Sequence, residues 1–87
     1  MRVVALYHPA SDSSRRVEEF AHDYSRQTGG EVELVSLDGK DGADIAKTYD
    51  IVGYPAILVI RNDGQLMQNW QGSELPLIRE VAAQAAL

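Results

Sequence analysis

The stretch Gly53-Tyr54-Pro55-Ala56-Ile57-Leu58-Val59-Ile60 restricts the fold more than any other part of the chain. The apolar run Ala56–Ile60, rich in β-branched residues, reads as a strand buried on both faces. A proline at its start has no N–H for a ladder and is tolerated only at a strand's first residue or at an edge. The aromatic–proline step is also a candidate cis peptide, because before proline the cis form lies only about 0.5–1 kcal/mol above trans. Asn62-Asp63-Gly64 then supplies the φ > 0 positions of a tight hairpin, with Gln65–Gln71 as the returning strand.

Upstream, Arg2 to Tyr7 is a nearly continuous apolar run and reads as another strand buried on both faces. His8-Pro9-Ala10 breaks it. Ser11, Asp12, Ser13 and Ser14 form a cluster of N-cap residues, so a helix is expected to start there with Ser11 and Ser14 as caps. Val17, Phe20, Ala21 and Tyr24 fall on one helical face, while Arg15 and Glu19 stand at i,i+4 on the solvated one. Gly29-Gly30 ends that helix. Glu31–Leu37 begins as an alternating strand, and Asp38-Gly39-Lys40-Asp41-Gly42 has turn composition. Ala43–Asp50 reads as a short helix with Ile45, Ala46 and Tyr49 inward. A last helix is expected from Gly72-Ser73-Glu74, capped by Ser73, with Pro76 in its first turn and Leu75, Ile78, Val81, Ala82 and Ala85 as its stripe.

The order is βαβαββα. Two strands joined by a helix require a parallel, right-handed crossover, and the last two strands form an antiparallel hairpin. An α/β fold follows, with a four-stranded mixed sheet and helices on both faces, in a single domain spanning residues 1–87.

Composition removes several function classes. The net charge is −5 and only Arg15-Arg16 are adjacent cations, so the concentrated positive footprint of a nucleic-acid binder is missing. No apolar run approaches the ~20 residues that span a bilayer, and the N-terminus has no signal-peptide layout. No membrane association is expected, and a cytoplasmic location is. The chain has no cysteine, hence no disulfide, no thiolate nucleophile and no cysteine-based metal or cluster site. His22 with Asp23 belongs on a solvated helix face, and no His/Asp/Glu spacing suits a metal. No metal or cofactor is expected.

With that order in place, nearly the whole chain resembles the thioredoxin-like superfamily in a minimal form lacking the N-terminal strand and helix. Val35-Ser36-Leu37-Asp38 is similar to the family's second core strand and its exit. Tyr49-Asp50-Ile51-Val52-Gly53-Tyr54-Pro55 is similar to its Y-x-I-x-G-x-P segment, which implies a cis-proline at Pro55. Asp63-Gly64-Gln65 is similar to its hairpin and Trp70-Gln71-Gly72 to its aromatic-x-Gly ending. The family's Cys-x-x-Cys motif maps onto Ser11-Asp12-Ser13-Ser14, so Ser11 and Ser14 stand at both cysteine positions. The family's buried acid falls at Ala5. A serine hydroxyl cannot cycle between reduced and bridged forms, and disulfide exchange requires a thiolate. The resemblance therefore implies the fold without its oxidoreductase activity, and no enzyme is expected. A chain engineered from a cysteine-bearing parent would also read Ser-x-x-Ser, but would have kept the acid that Ala5 replaces.

The candidate sites follow. His8 lies three residues before Ser11, yet no orienting group or oxyanion motif such as Gly-x-Ser-x-Gly accompanies them, so a polar loop histidine is expected rather than a hydrolase base. The resemblance implies a groove of Ala10, Ser11, Asp12, Ser13, Tyr54, Pro55, Gln71 and Gly72. There the Tyr54 backbone would pair with an extended peptide or the edge of a protein partner by strand addition. The competing reading keeps Pro55 for the fold alone and leaves Tyr54 as a partly exposed aromatic. The expected function is a non-catalytic binding or scaffold domain. The alternative is a domain that holds glutathione or another small thiol through Ser11 and the Tyr54 backbone. Trp70 and Tyr7 are assigned to the core.

Overall fold

A computed structural model describes all 87 residues. Its elements are β1 (Arg2–Tyr7), α1 (Ser14–Thr28), β2 (Val32–Ser36), α2 (Lys40–Thr48), β3 (Ala56–Ile60), β4 (Leu66–Gln71) and α3 (Ile78–Ala85). The sheet order is β2-β1-β3-β4. β1 runs parallel to β2, with Ala5 opposite Leu34, and antiparallel to β3, with Ala5 opposite Ile57. β3 and β4 form the hairpin, with an irregularity at Val59/Ile60.

The two central strands carry the apolar runs, and alternation sends their side chains into two separate cores. Val3, Ala5, Tyr7, Ile57 and Val59 point to one face and pack under Val17, Phe20 and Tyr24 of α1 and Val81 of α3. Val4, Leu6, Ala56, Leu58 and Ile60 point to the other and meet Ala46 of α2 and Ile51. Trp70 is half-buried against the first cluster, as are Leu75, Ile78, Ala82 and Ala85. Tyr7 lies beneath α1 and its hydroxyl donates to Glu18 Oε2 at 3.4 Å. Burial holds the Tyr7 phenol above its ordinary pKa, and the neighbouring Glu18 carboxylate pushes it the same way.

α1 starts within the expected Ser11–Ser14 cluster but without the expected caps, and α2 and α3 start away from the expected residues. α1 begins at Ser14 with Ser13 as N-cap and no side-chain cap. Residues 8–14 instead form consecutive tight turns, in which Ser11 N–H donates to His8 O (3.0 Å) and Ser14 N–H to Ser11 O (3.2 Å). Ser11 and Ser14 are therefore not caps. Ser11 Oγ is drawn back onto His8 O, and Ser14 is the first helical residue. Arg15 and Glu19 make no ion pair; the helix's ion pair is Arg26–Asp23. The other end is as expected: Gly29 adopts φ 76°, and its N–H closes the helix on Ser25 O at 2.9 Å.

α2 begins at Lys40, so Lys40-Asp41-Gly42 is helix rather than turn. Gly42 is there for contact and not for a bend. A Cβ at this position would lie 2.0 Å from the Ser36 carbonyl oxygen, so only glycine lets the helix come this close to β2. Tyr49 closes α2, and Asp50 at φ 58° turns the chain back to Ile51. α3 begins five positions past Ser73, because Pro76 disfavours helical geometry at Leu75. Ser73 is not its cap. Leu77 N–H donates to Glu80 Oε1 at 3.1 Å, which satisfies an otherwise open amide at the helix start.

Candidate functional site

The β1 and β2 C-termini, the β3 N-terminus and the β4 C-terminus all open on one end of the sheet, as their pairing directions require. The loops at that end are tied to one another by identifiable bonds. The parallel register puts Tyr7 opposite Ser36, so the residues just beyond the two strands become neighbours. His8 Nδ1 lies 3.1 Å from Asp38 Oδ1. The His8 and Tyr54 rings meet in a T-shaped contact with centroids 5.8 Å apart, a favourable aromatic geometry. Ser11 Oγ donates to His8 O at 2.6 Å and shares a hydrogen bond with Ser13 Oγ at 3.1 Å.

From the opposite side, the Gln71 side chain reaches under the residues that precede Pro55. Its Oε1 accepts from Val52 N–H (3.1 Å) and Gly53 N–H (2.8 Å), while its Nε2 donates to Asn69 Oδ1 (2.9 Å). Gly72 N–H donates to Pro55 O at 3.0 Å. The Tyr54 hydroxyl turns back to donate to Ile51 O at 2.8 Å. The Tyr54–Pro55 peptide bond is cis.

Within this braced loop, the N–H and C=O of Tyr54 make no hydrogen bond to any other part of the chain. The residue is 37% exposed and Val52 beside it 84%. Most backbone groups in a folded chain are paired or deliberately solvated. Here one donor and one acceptor of a single residue are left open to the surroundings.

Of the groove residues expected from the sequence, Ser11 and Ser13 reach Tyr54 through His8, and Pro55, Gln71 and Gly72 are joined to its loop directly. Ala10 and Asp12 are exposed on the same turn and make no hydrogen bond across to Tyr54. Ser14 is carried into α1. The sequence reading missed Asp38, Val52 and the bracing role of the Gln71 side chain. The β1–β2 parallel register was the available signal for Asp38, since it places the ends of the two strands side by side. No grouping of His, Asp and Glu side chains could hold a metal ion. No helix is long and apolar enough to cross a membrane. A surface depression of about 620 Å³ lies elsewhere, between the outer edge of β2 and the start of α2. Tyr54 offers backbone groups on an exposed loop, and such a feature encloses no volume.

No protein-family model matches the sequence, and no curated protein matches it. Solved structures do. Thioredoxin 1 of Thermosipho africanus superposes with a TM-score of 0.69 at 7% identity, over 99% of this chain and 91% of that one. The fold is thioredoxin-like. Fasciola hepatica thioredoxin gives 0.70 at 15% identity over 97% and 76% of the two chains. A Thermus thermophilus thioredoxin gives 0.64 at 20% over 95% and 74%. At these identities the likeness concerns the thioredoxin-like fold alone. The chain departs from thioredoxin chemistry in having no sulfur nucleophile, so thiol–disulfide exchange has no group to start from.

Proposed function

We propose that this chain is a redox-inactive binding domain that pairs an extended peptide or the edge of a protein partner with the Tyr54 backbone. The observation that carries the reading is the open N–H and C=O of Tyr54 in a loop whose neighbouring amides are satisfied by Gln71. A strand laid beside Tyr54 gains main-chain hydrogen bonds at a place held rigid beforehand, which lowers the ordering cost of binding. Val52 and the Tyr54 ring supply adjacent exposed apolar surface. None of these groups depends on cysteine.

Holding a small thiol is less well supported. The Ser11 hydroxyl proton is directed to His8 O at 2.6 Å, and a thiolate would have to take that donor away.

Peptides selected from a random library against the immobilised chain, followed by amide shift mapping, test the reading. The expected result is perturbation at Ser11–Ser13, Tyr54 and Gln71 by the peptide and no response to glutathione. Shifts of those residues on adding glutathione would replace the peptide reading by the small-thiol one. Peptide-induced shifts confined to other faces would end it.

A further inference from the structure

The outer edge of β2 carries a pattern of its own. In a parallel ladder successive residues turn their N–H and C=O alternately toward and away from the neighbouring strand. Leu37 N–H donates to Tyr7 O at 2.9 Å, and with the β1–β2 register this puts Glu33 and Val35 toward β1. Val32, Leu34 and Ser36 therefore face outward. None of the N–H groups of Val32, Leu34 and Ser36, nor the C=O groups of Val32 and Leu34, bonds elsewhere in the chain, whereas Ser36 O accepts from Gly39 N–H at 3.3 Å. Leu34 at the centre is 44% exposed. The depression of about 620 Å³ runs along this same edge, leaving room for a further strand.

The geometry points to a second copy of this chain as the occupant, its β2 antiparallel to the first about a two-fold axis through Leu34. In that register Leu34 N–H and C=O pair with those of Leu34 in the second copy, and Ser36 N–H donates to Val32 O in each direction. The two Leu34 side chains meet on the α1 face. Glu33 stands across from Val35 and Glu31 across from Leu37, so no carboxylate faces another. Like charges directly opposite are destabilising, and this selects the register. Moving the axis to Glu33 sets Glu33 against Glu33, and moving it to Val32 sets Glu31 against Glu33. Moving it to Val35 sets Val32 of the second copy opposite Asp38, beyond the end of β2, where no ladder remains to pair with. Glu33 is also held by Arg2, with contacts of 3.0 Å to both carboxylate oxygens, so its charge is matched before the edge closes.

An interface of this kind is small, and each copy carries a net charge of −5. The association is therefore weak and strengthens with salt, which screens the repulsion between copies. Sedimentation of the chain from about 10 µM to about 1 mM, at low and high salt, is the first test. The expected result is a concentration-dependent shift from monomer to dimer, greater at high salt. Hydrogen exchange at the two ends of that range locates the contact, with the Leu34 amide slowed about tenfold in the concentrated sample. Leu34→Lys, at an exposed position that leaves both cores untouched, is expected to remain monomeric with an unchanged circular dichroism spectrum. A wild-type chain that stays monomeric throughout overturns the proposal. So does a dimer that survives Leu34→Lys, or one whose protection appears on β4 while Leu34 exchanges freely.

Discussion

β3 and β2 are five-residue strands with a leucine at the centre of each, Ala-Ile-Leu-Val-Ile and Val-Glu-Leu-Val-Ser, yet the two leucines meet opposite fates. Every residue of β3 is at most 1% exposed, whereas Leu34 in the middle of β2 is 44% exposed. Position in the sheet accounts for the difference. β3 has a strand on each side and a packed cluster on each face, while β2 has one neighbour and an open edge. Stability is concentrated in the centre of this sheet. Groups able to engage something else lie at its margins, on the outer side of β2 and in the loop before β3.

The largest effect should separate the two strands directly. Leu58→Ala removes a fully buried side chain and is expected to cost about 2–5 kcal/mol, whereas Leu34→Ala should stay within about 0.5 kcal/mol. Denaturant unfolding of both variants measures this, and equal losses would break the contrast. Next comes the junction between centre and edge. Gly42→Ala forces a Cβ to within 2.0 Å of Ser36 O, while the same change at Gly39 would meet that oxygen at 3.7 Å. A loss of about 1–3 kcal/mol is expected at Gly42 and little at Gly39. Thermal melts showing Gly42→Ala to be as harmless as Gly39→Ala would mean that α2 can slide along β2.

A smaller effect belongs to the loop before β3. Gln71→Ala removes the shared acceptor of Val52 and Gly53. Both amides can turn to water, so a cost of about 0.5–1.5 kcal/mol is expected, with faster hydrogen exchange at Gly53 than in the parent. Unchanged exchange there would show that the loop holds itself.

The smallest effect concerns pH. Hydrogen bonds from Arg2 hold the Glu33 carboxyl below its ordinary pKa, against a partial opposing effect of burial. A carboxyl whose pKa is lower folded than unfolded adds stability above its unfolded pKa. That stability disappears as pH falls through the folded value. Because both side chains are nearly half exposed, solvent screening limits the contribution to about 0.5 kcal/mol at most. Glu33→Gln should flatten the acid limb of the stability–pH curve by that small amount, as read from urea midpoints between neutral and mildly acidic pH. An unaltered acid limb would remove the pair from any account of the edge.

The contrast between centre and margin also marks what could be read in the sequence. β1 and β3 announce themselves as unbroken apolar runs, and the connection order then fixes parallel and antiparallel neighbours. Gly29 was legible because a left-handed helix end has one usual occupant. The capping roles and the starts of α2 and α3 were not, and each miss has a local cause. Ser11 and Ser14 have the right chemistry for caps, but the turns from His8 onward take up the Ser11 hydroxyl before the helix begins. Gly42 looks like a turn residue because its reason for being there, a carbonyl six positions earlier, is tertiary. Ser73 loses its expected role to Pro76, which disfavours helical geometry at Leu75. At the site, Tyr54, Pro55 and Gln71 could be named from the resemblance. The contact of His8 with Asp38 could not, since residues thirty positions apart meet only once the strands are in register.

The contact at Gly42 carries a consequence for how this domain can change over time. Elsewhere on that face, the spacing between helix and sheet is set by side chains, and compensating swaps can retune it. Between the third residue of α2 and the Ser36 carbonyl there is only main chain, so the separation is a fixed dimension that mutation can violate but not adjust. Sequence drift in relatives of this chain should therefore pass freely through the surface of α2 and stop at that glycine.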